Sequence, residues 1–316
     1  MEVVDTKKNR FGSTDLMLAF VTLMWGLNYV IVKVSLKEIG PLLFNTLRFA
    51  IGSAVCWIIL LTKEREIKIS KKQLIYLVFT GIIAHGINQI SFIYGVAKTT
   101  AGATSIILAS TPVCVVLLAR LLKLEKVTMK TYIGIIISFM GVTLVVMGSG
   151  NPFAGGIEAA KGNILIVVAT VFWSIYTIMI RMYFKDLSTI KVTTYSLSFT
   201  TIFFLILSAK QVLQSEWASF STAAWGGVFF SGVFVLGISY ILWNTGVHRV
   251  GPTRTAIYAN LPPFISVLFG WLILGETISP MQIVGGFIIM MGLVYSKNRK
   301  IEEYPPIMKD QACKSS

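Results

Sequence analysis

The chain has 316 residues, 55% of them hydrophobic and 13% charged, with a formal net charge of +14 and a mean hydropathy of +0.75. Soluble domains carry about 25% charged residues, so this composition excludes an ordinary soluble fold and points to a membrane protein. A hydrocarbon layer about 30 Å thick takes roughly 20 apolar residues in a helix, whereas barrel strands are about 10 residues long with alternating polarity.

Ten apolar runs are expected to be membrane-spanning helices: residues 15–34, 41–62, 73–95, 102–122, 130–148, 162–182, 189–209, 224–246, 253–274 and 280–297. The expected fold class is an all-α integral membrane protein with ten transmembrane helices. Residues 1–14 read as a polar N-terminus. The run after them is too long for a signal-peptide core and lacks a small-residue cleavage site, so it reads as a retained first span. Residues 298–316 read as a polar, flexible tail.

Basic residues gather in alternate connections. One side holds Lys7, Lys8 and Arg10, then Lys63, Arg65, Lys68, Lys71 and Lys72, then Arg120, Lys123, Lys126 and Lys130. It continues through Arg181, Lys185, Lys191, Arg249 and Arg254 to the basic tail, while the other side has only Lys37, Lys98, Lys161 and Lys210. The positive-inside rule then sets both termini in the cytoplasm. The charge is a topology signal, and no nucleic-acid partner is expected. Cys56, Cys114 and Cys313 show neither paired nor metal-ligand spacing. No metal, cofactor or catalytic residue is expected, and no Gly-rich phosphate loop ending in Lys supports an ATP-driven pump.

The chain repeats itself. An offset of 151 residues sets "GVAKTTAGATSIILASTP" on "GVHRVGPTRTAIYANLPP", with 13 identities in 49 ungapped pairs over residues 95–143. Pro112 falls on Pro263, Glu125 on Glu276, Gly134 on Gly285 and Gly141 on Gly292; near the start of each half an offset of 148 sets Trp25 on Trp173. Each unit (15–148 and 162–297) holds five spans, and five is odd, so the second enters the membrane inverted. Inverted repeats are an architecture of secondary transporters, with the solute near the midplane between the halves.

The second half also resembles the EamA-type repeat of the drug/metabolite transporter superfamily, through "GVHRVG", the Pro of the ninth span, "LGE" and the Gly-rich last span. The first half is similar through "LMWGLNYVIVK", "LRFAIG" and "YGVAKTTAGATSIILASTPV", and departs in having "KLEK" where "LGE" is usual. The resemblance covers residues 15–297 and implies a ten-helix carrier of small metabolites, such as amino acids, or of drugs, most often outward. It places the chain in the cytoplasmic membrane of a bacterium or archaeon, with a small-molecule substrate and the lipid bilayer as partners.

Polar groups at bilayer depth usually face a cavity or another helix. The candidate substrate-binding residues are Trp25, Asn28 and Tyr29 in span 1, Arg48 in span 2, and His85, Asn88 and Gln89 in span 3. In the second unit they are Trp173 and Tyr176, then Trp243 and Asn244 beside Tyr240, then Tyr258 and Asn260. Arg48 stands roughly 10 Å inside its span at 1.5 Å per residue, as an anion contact or a structural Arg. No carboxylate lies at the middle of any span, which leaves His85 as the first candidate for any proton coupling. Pro112, Pro262 and Pro263 are candidate hinges. Gly134, Gly141, Gly285 and Gly292 allow close packing within the fold or in a homodimer. Ser279, Pro280 and Gln282 read as a capping box that makes Glu276 a turn residue. An intramembrane enzyme would need clustered reactive groups, and His85 is isolated; a receptor, assembly factor or channel on the same fold is the alternative.

Overall fold

The computed structural model describes residues 12–99, 101–148, 156–274, 278–297 and 302–303. Nearly all are helical, since a chain this apolar leaves water only by satisfying its backbone groups within helices. Among the described residues seven helices are long and apolar enough to cross a membrane. They are α1 (Ser13–Ser35), α2 (Pro41–Lys63), α3 (Lys71–Lys98), α6 (Met129–Met147), α7 (Gly156–Tyr183), α8 (Thr189–Gln214) and α9 (Thr222–Val250). The shorter helices are α4 (Ala101–Leu108), α5 (Thr111–Leu121), α10 (Pro252–Ile257), α11 (Pro262–Leu274) and α12 (Pro280–Lys297).

The runs expected as single spans at 102–122 and 253–274 are therefore each two helices. The reason lies in the prolines. A Pro has no N–H to donate and its ring clashes with the preceding turn, but both defects vanish in the first turn of a helix. Accordingly α5 restarts at Thr111–Pro112 and α11 at Pro262, after a 3₁₀ turn over Tyr258–Asn260.

Two of the long helices are also irregular. α3 is a π-helix over Thr80–Gly86, and α9 over Ser231–Ser239. These segments begin 151 residues apart, the interval of the sequence repeat, and π segments frequently mark functional sites. Capping is shared too. Ser279 N donates to Gln282 Oε1 at 2.7 Å and Gln282 N to Ser279 Oγ at 3.3 Å, the expected box at the start of α12. Its equivalent Thr128 accepts from Thr131 N at the start of α6. Glu276 lies outside the described residues, as does the tail apart from Glu302–Glu303, which pairs antiparallel with Glu125–Lys126.

The halves meet through reciprocal contacts. A Cβ on Gly141 would lie 2.7 Å from the Gly285 carbonyl oxygen, and one on Gly292 would lie 2.6 Å from that of Gly134. Each contact becomes the other when every residue is exchanged for its equivalent in the other half. The same holds where Gly81 meets the Ser196 carbonyl oxygen and Gly232 meets that of Arg48. Across the halves α1 packs on α11 and α9, α5 and α3 on α7, and α2 on α8 and the π segment of α9.

The α6–α12 seam has no room for a side chain, and overpacking such a site costs about 1–3 kcal/mol. Gly285→Val is expected to lower the melting temperature of the purified protein in detergent. Gly226→Ala, whose Cβ meets nothing within 4 Å, serves as the control and should leave it unchanged. An unaltered Gly285→Val protein would refute the close seam.

Candidate functional site

Where the halves face each other, a cavity of about 100 Å³ opens among α1, α2, α3, α7, α9 and the two broken spans. Seven of the sequence candidates line it: Trp25, Asn28, Tyr29, Arg48, Asn88, Gln89 and Trp173. Pro262, expected as a hinge, is on the wall as well.

Arg48 organises the polar side. It is 2% exposed and its guanidinium stays charged. Its Nε donates to Asn45 Oδ1 at 2.8 Å and its Nη2 to Gln89 Oε1 at 2.7 Å. Because Arg only donates, both amide oxygens must turn toward it. Gln89 Nε2 is then a donor, to Asn88 Oδ1 at 2.8 Å and to the Tyr240 hydroxyl at 3.3 Å. Asn88 Nδ2 in turn donates to the Ala169 carbonyl at 2.8 Å, and Asn45 Nδ2 to the Gln89 carbonyl at 3.2 Å. The amide orientations are thus fixed from an obligate donor at one end to a backbone acceptor at the other. Among the described residues no carboxylate is in ion-pair range of Arg48. The Phe44 and Phe49 rings lie 5.4 and 5.8 Å from its guanidinium carbon, a cation–π cradle.

The apolar side is aromatic. Trp25 stands edge-on to Trp173 at 5.5 Å and to Tyr240 at 6.2 Å between ring centroids. Trp25 and Trp173 are equivalents in the repeat, and so are Gln89 and Tyr240. The cavity therefore lies where equivalent residues meet. Sequence reasoning passed over Phe92, Leu108, Thr111, Val235, Leu236 and Ala259, whose apolar or small side chains carry no polar signal at bilayer depth. Tyr240 was legible on its span, and the match to Gln89 would have promoted it.

The remaining candidates do not line the cavity. His85 is fully buried, with its ring stacked on Tyr176 at 5.1 Å and against Phe49 at 5.2 Å. Trp243 packs beneath Trp25 at 4.8 Å. Asn244 Nδ2 donates to the Tyr176 and Thr193 hydroxyls, each at 2.9 Å. Asn260 is buried, and among the described residues neither amide atom has a hydrogen-bond partner. Pro112 and Pro263 are buried at the breaks rather than on the wall.

Tyr258 belongs to a closure at the end of the molecule that carries Lys63, Lys71, Arg181 and Lys191. There its hydroxyl donates to Asp15 Oδ1 at 2.6 Å, and Arg254 Nη2 to the same oxygen at 3.2 Å. Nearby, Thr253 N donates to Glu125 Oε2 at 3.3 Å. Burial pushes the Glu125 carboxyl above the usual carboxylate range, against the contacts from Thr253 and the charge of Arg181. Between this closure and the cavity Leu18, Val21, Trp243 and Val247 are fully buried. At the opposite end Glu158 accepts from Lys98 at 2.7 Å and Lys161 at 2.6 Å. The Lys98 pair joins α7 to α3, whereas the Lys161 pair lies within α7, and none of the three residues lines the cavity.

Removing one partner of a buried hydrogen bond strands the other at about 1–3 kcal/mol. Gln89→Leu leaves both Arg48 Nη2 and Asn88 Oδ1 without partners. Its melting temperature is expected to fall several degrees, with Gln89→Glu, which keeps an acceptor for the guanidinium, retaining more. Equal stability of the Leu variant and the native protein would refute the network.

Among the described residues no group of three or more His, Cys, Asp or Glu side chains could hold a metal ion. The model of the EamA-like transporter family matches residues 12–147 and again residues 160–296. The chain is 24% identical over 281 residues to the uncharacterized transporter YyaM of Bacillus subtilis (strain 168), covering 88% of this chain and 92% of that one. It is 26% identical over 304 residues to YetK of the same organism, covering 94% and 91%. An uncharacterized transporter of Archaeoglobus fulgidus is 23% identical over 278 residues, covering 88% and 96%. A solved crystal structure of 18% identity matches with a TM-score of 0.78 over 91% of this chain and 99% of that chain. With both halves matched, the chain belongs to the EamA-like transporter family and is a multi-pass membrane transporter.

Proposed function

We propose that this protein is a secondary transporter that exports a small organic solute, a metabolite or a drug, by alternating access. In this reading ten crossings form two inverted five-helix units, residues 15–148 and 162–297, with both termini in the cytoplasm. The cavity around Arg48 is the solute site. The observation that carries the reading is the position of that cavity, between equivalent residues of the two halves. A site there is reached from either membrane face when the halves rock.

The closure at the basic end supports an arrangement shut toward the cytoplasm. Asp15 of the first half holds Arg254 and Tyr258 of the second. Their equivalents by the two repeat offsets are Asn163, Ala103 and Ile107, which cannot form the same ion pair at the opposite end. The two closed states are thus held by different contacts, and loss of Asp15 favours opening to the cytoplasm. The breaks at Pro112 and Pro262–Pro263 are where α4–α5 and α10–α11 bend. The π segments of α3 and α9 offer a second pair of soft points, since a π turn carries an extra residue relative to an α turn.

Counterflow in proteoliposomes tests this. Vesicles loaded with unlabelled solute from a metabolite panel are expected to accumulate the labelled form transiently and saturably. Asp15→Asn should alter the rate without abolishing it. Non-saturable equilibration would indicate a channel, and no flux with any solute would favour a receptor or assembly factor.

A further inference from the structure

We propose that the solute is a small monocarboxylate with a flat or apolar body, bound as a net anion and not as a zwitterion or a cation. The inference rests on the transporter reading only in taking this cavity as the solute site.

Around Arg48 the polar wall keeps free N–H and O–H donors, while the amide oxygens already accept hydrogen bonds. The side-chain oxygens of Asn45, Gln89 and Asn88 each already accept one hydrogen bond, from Arg48 or Gln89, and that of Asn28 accepts one from the Ser231 hydroxyl at 2.6 Å. What these bonds leave over is different in kind. Among the described residues Arg48 Nη1 and Asn28 Nδ2 make no hydrogen bond, and the Tyr240 hydroxyl, accepting from Gln89, keeps its own proton to give. Arg48, Asn28 and Tyr240 all line the same cavity. A carboxylate accepts through two oxygens and supplies the countercharge that the Arg48 guanidinium has no protein partner for among the described residues.

The charge limits the ligand further. Among the described residues that line the cavity, Arg48 is the single cation and none is Asp or Glu. A dianion such as a phosphate monoester would leave a buried charge uncompensated, which is costly in this medium. An ammonium group would meet the like charge of the guanidinium and amide oxygens that already accept hydrogen bonds, with no carboxylate to offset its charge. The body of the ligand meets Trp25, Trp173 and Tyr240, whose faces and edges suit a planar ring or a branched chain.

The symmetry of the fold makes the same point. The equivalent of Arg48 is Ser196, so the cation stands on one side only. A ligand with one charged end and one apolar end matches that inequality.

Matched pairs that share a body and differ in charge test the proposal: phenylacetate against phenethylamine, indole-3-acetate against tryptamine, 4-methylpentanoate against isoamylamine, with phenylalanine and tryptophan as zwitterions. The reading is thermal stabilisation of the purified full chain in detergent, together with counterflow in proteoliposomes. At least one carboxylate is expected to stabilise the protein, at a concentration at least tenfold below that needed by its amine and its amino acid. Gln89→Glu, which gives Arg48 an internal carboxylate while keeping it hydrogen-bonded, should fold and lose that response at least tenfold; Arg48→Gln should lose it as well. An amine or zwitterion acting as well as its carboxylate partner overturns the proposal. So does the absence of a response to any carboxylate, or a response that survives in Gln89→Glu. Saturable counterflow of amines alone would remove this proposal and leave the transporter reading standing. A carboxylate response without counterflow would do the reverse.

Discussion

A guanidinium cannot give up its proton inside a membrane, so once α2 carries Arg48 away from water its surroundings must supply acceptors. The nearest polar side chains are amides, which answer with their oxygens and expose their nitrogens. From that one constraint follow the turn of Asn45, the bridge of Gln89 to Asn88 and Tyr240, and the anchor at the Ala169 carbonyl. The network joins α2, α3, α7 and α9, elements of both halves of the chain. The chemical character of the cavity and the packing of the halves around it are thus the same fact.

The halves share their helix breaks, π segments and glycine contacts, while most of their side chains differ. Gly134, Gly141, Gly285 and Gly292 seat α6 against α12, and α3 and α9 carry their π segments at matching positions. Against that background the inequalities stand out: Arg48 opposite Ser196, and Asp15 opposite Asn163. The first polarises the cavity. The second ties one end of the molecule and leaves the other with a different kind of contact. A carrier that turned over symmetrically would need neither.

Much of this was legible in the sequence. Apolar run length located the helices, and the 151-residue offset gave the equivalences that the glycine contacts obey. The polar faces of spans 1 to 3 led to Trp25, Asn28, Tyr29, Arg48, Asn88 and Gln89 on the cavity wall. His85 did not follow them: the π turns of α3 re-aim it into the packing between Phe49 and Tyr176, and a π segment has no plain sequence signature. Tyr258 likewise reads as a deep aromatic residue, yet it reaches Asp15 because the chain breaks at Leu261. The wall's small and apolar members escaped because periodicity marks only what is polar out of place.

Access to the cavity from each face of the membrane tests the account most directly. Phe92→Cys, made with Cys114 and Cys313 replaced by Ser, puts a thiol on the cavity wall. A membrane-impermeant thiol reagent is then applied to oriented vesicles from either face. Labelling is expected from the face opposite the basic end and to be slow from the basic face, with Asp15→Asn raising the latter severalfold. Equal labelling from both faces, or labelling from the basic face alone, would contradict a cavity between two halves that is closed at Asp15.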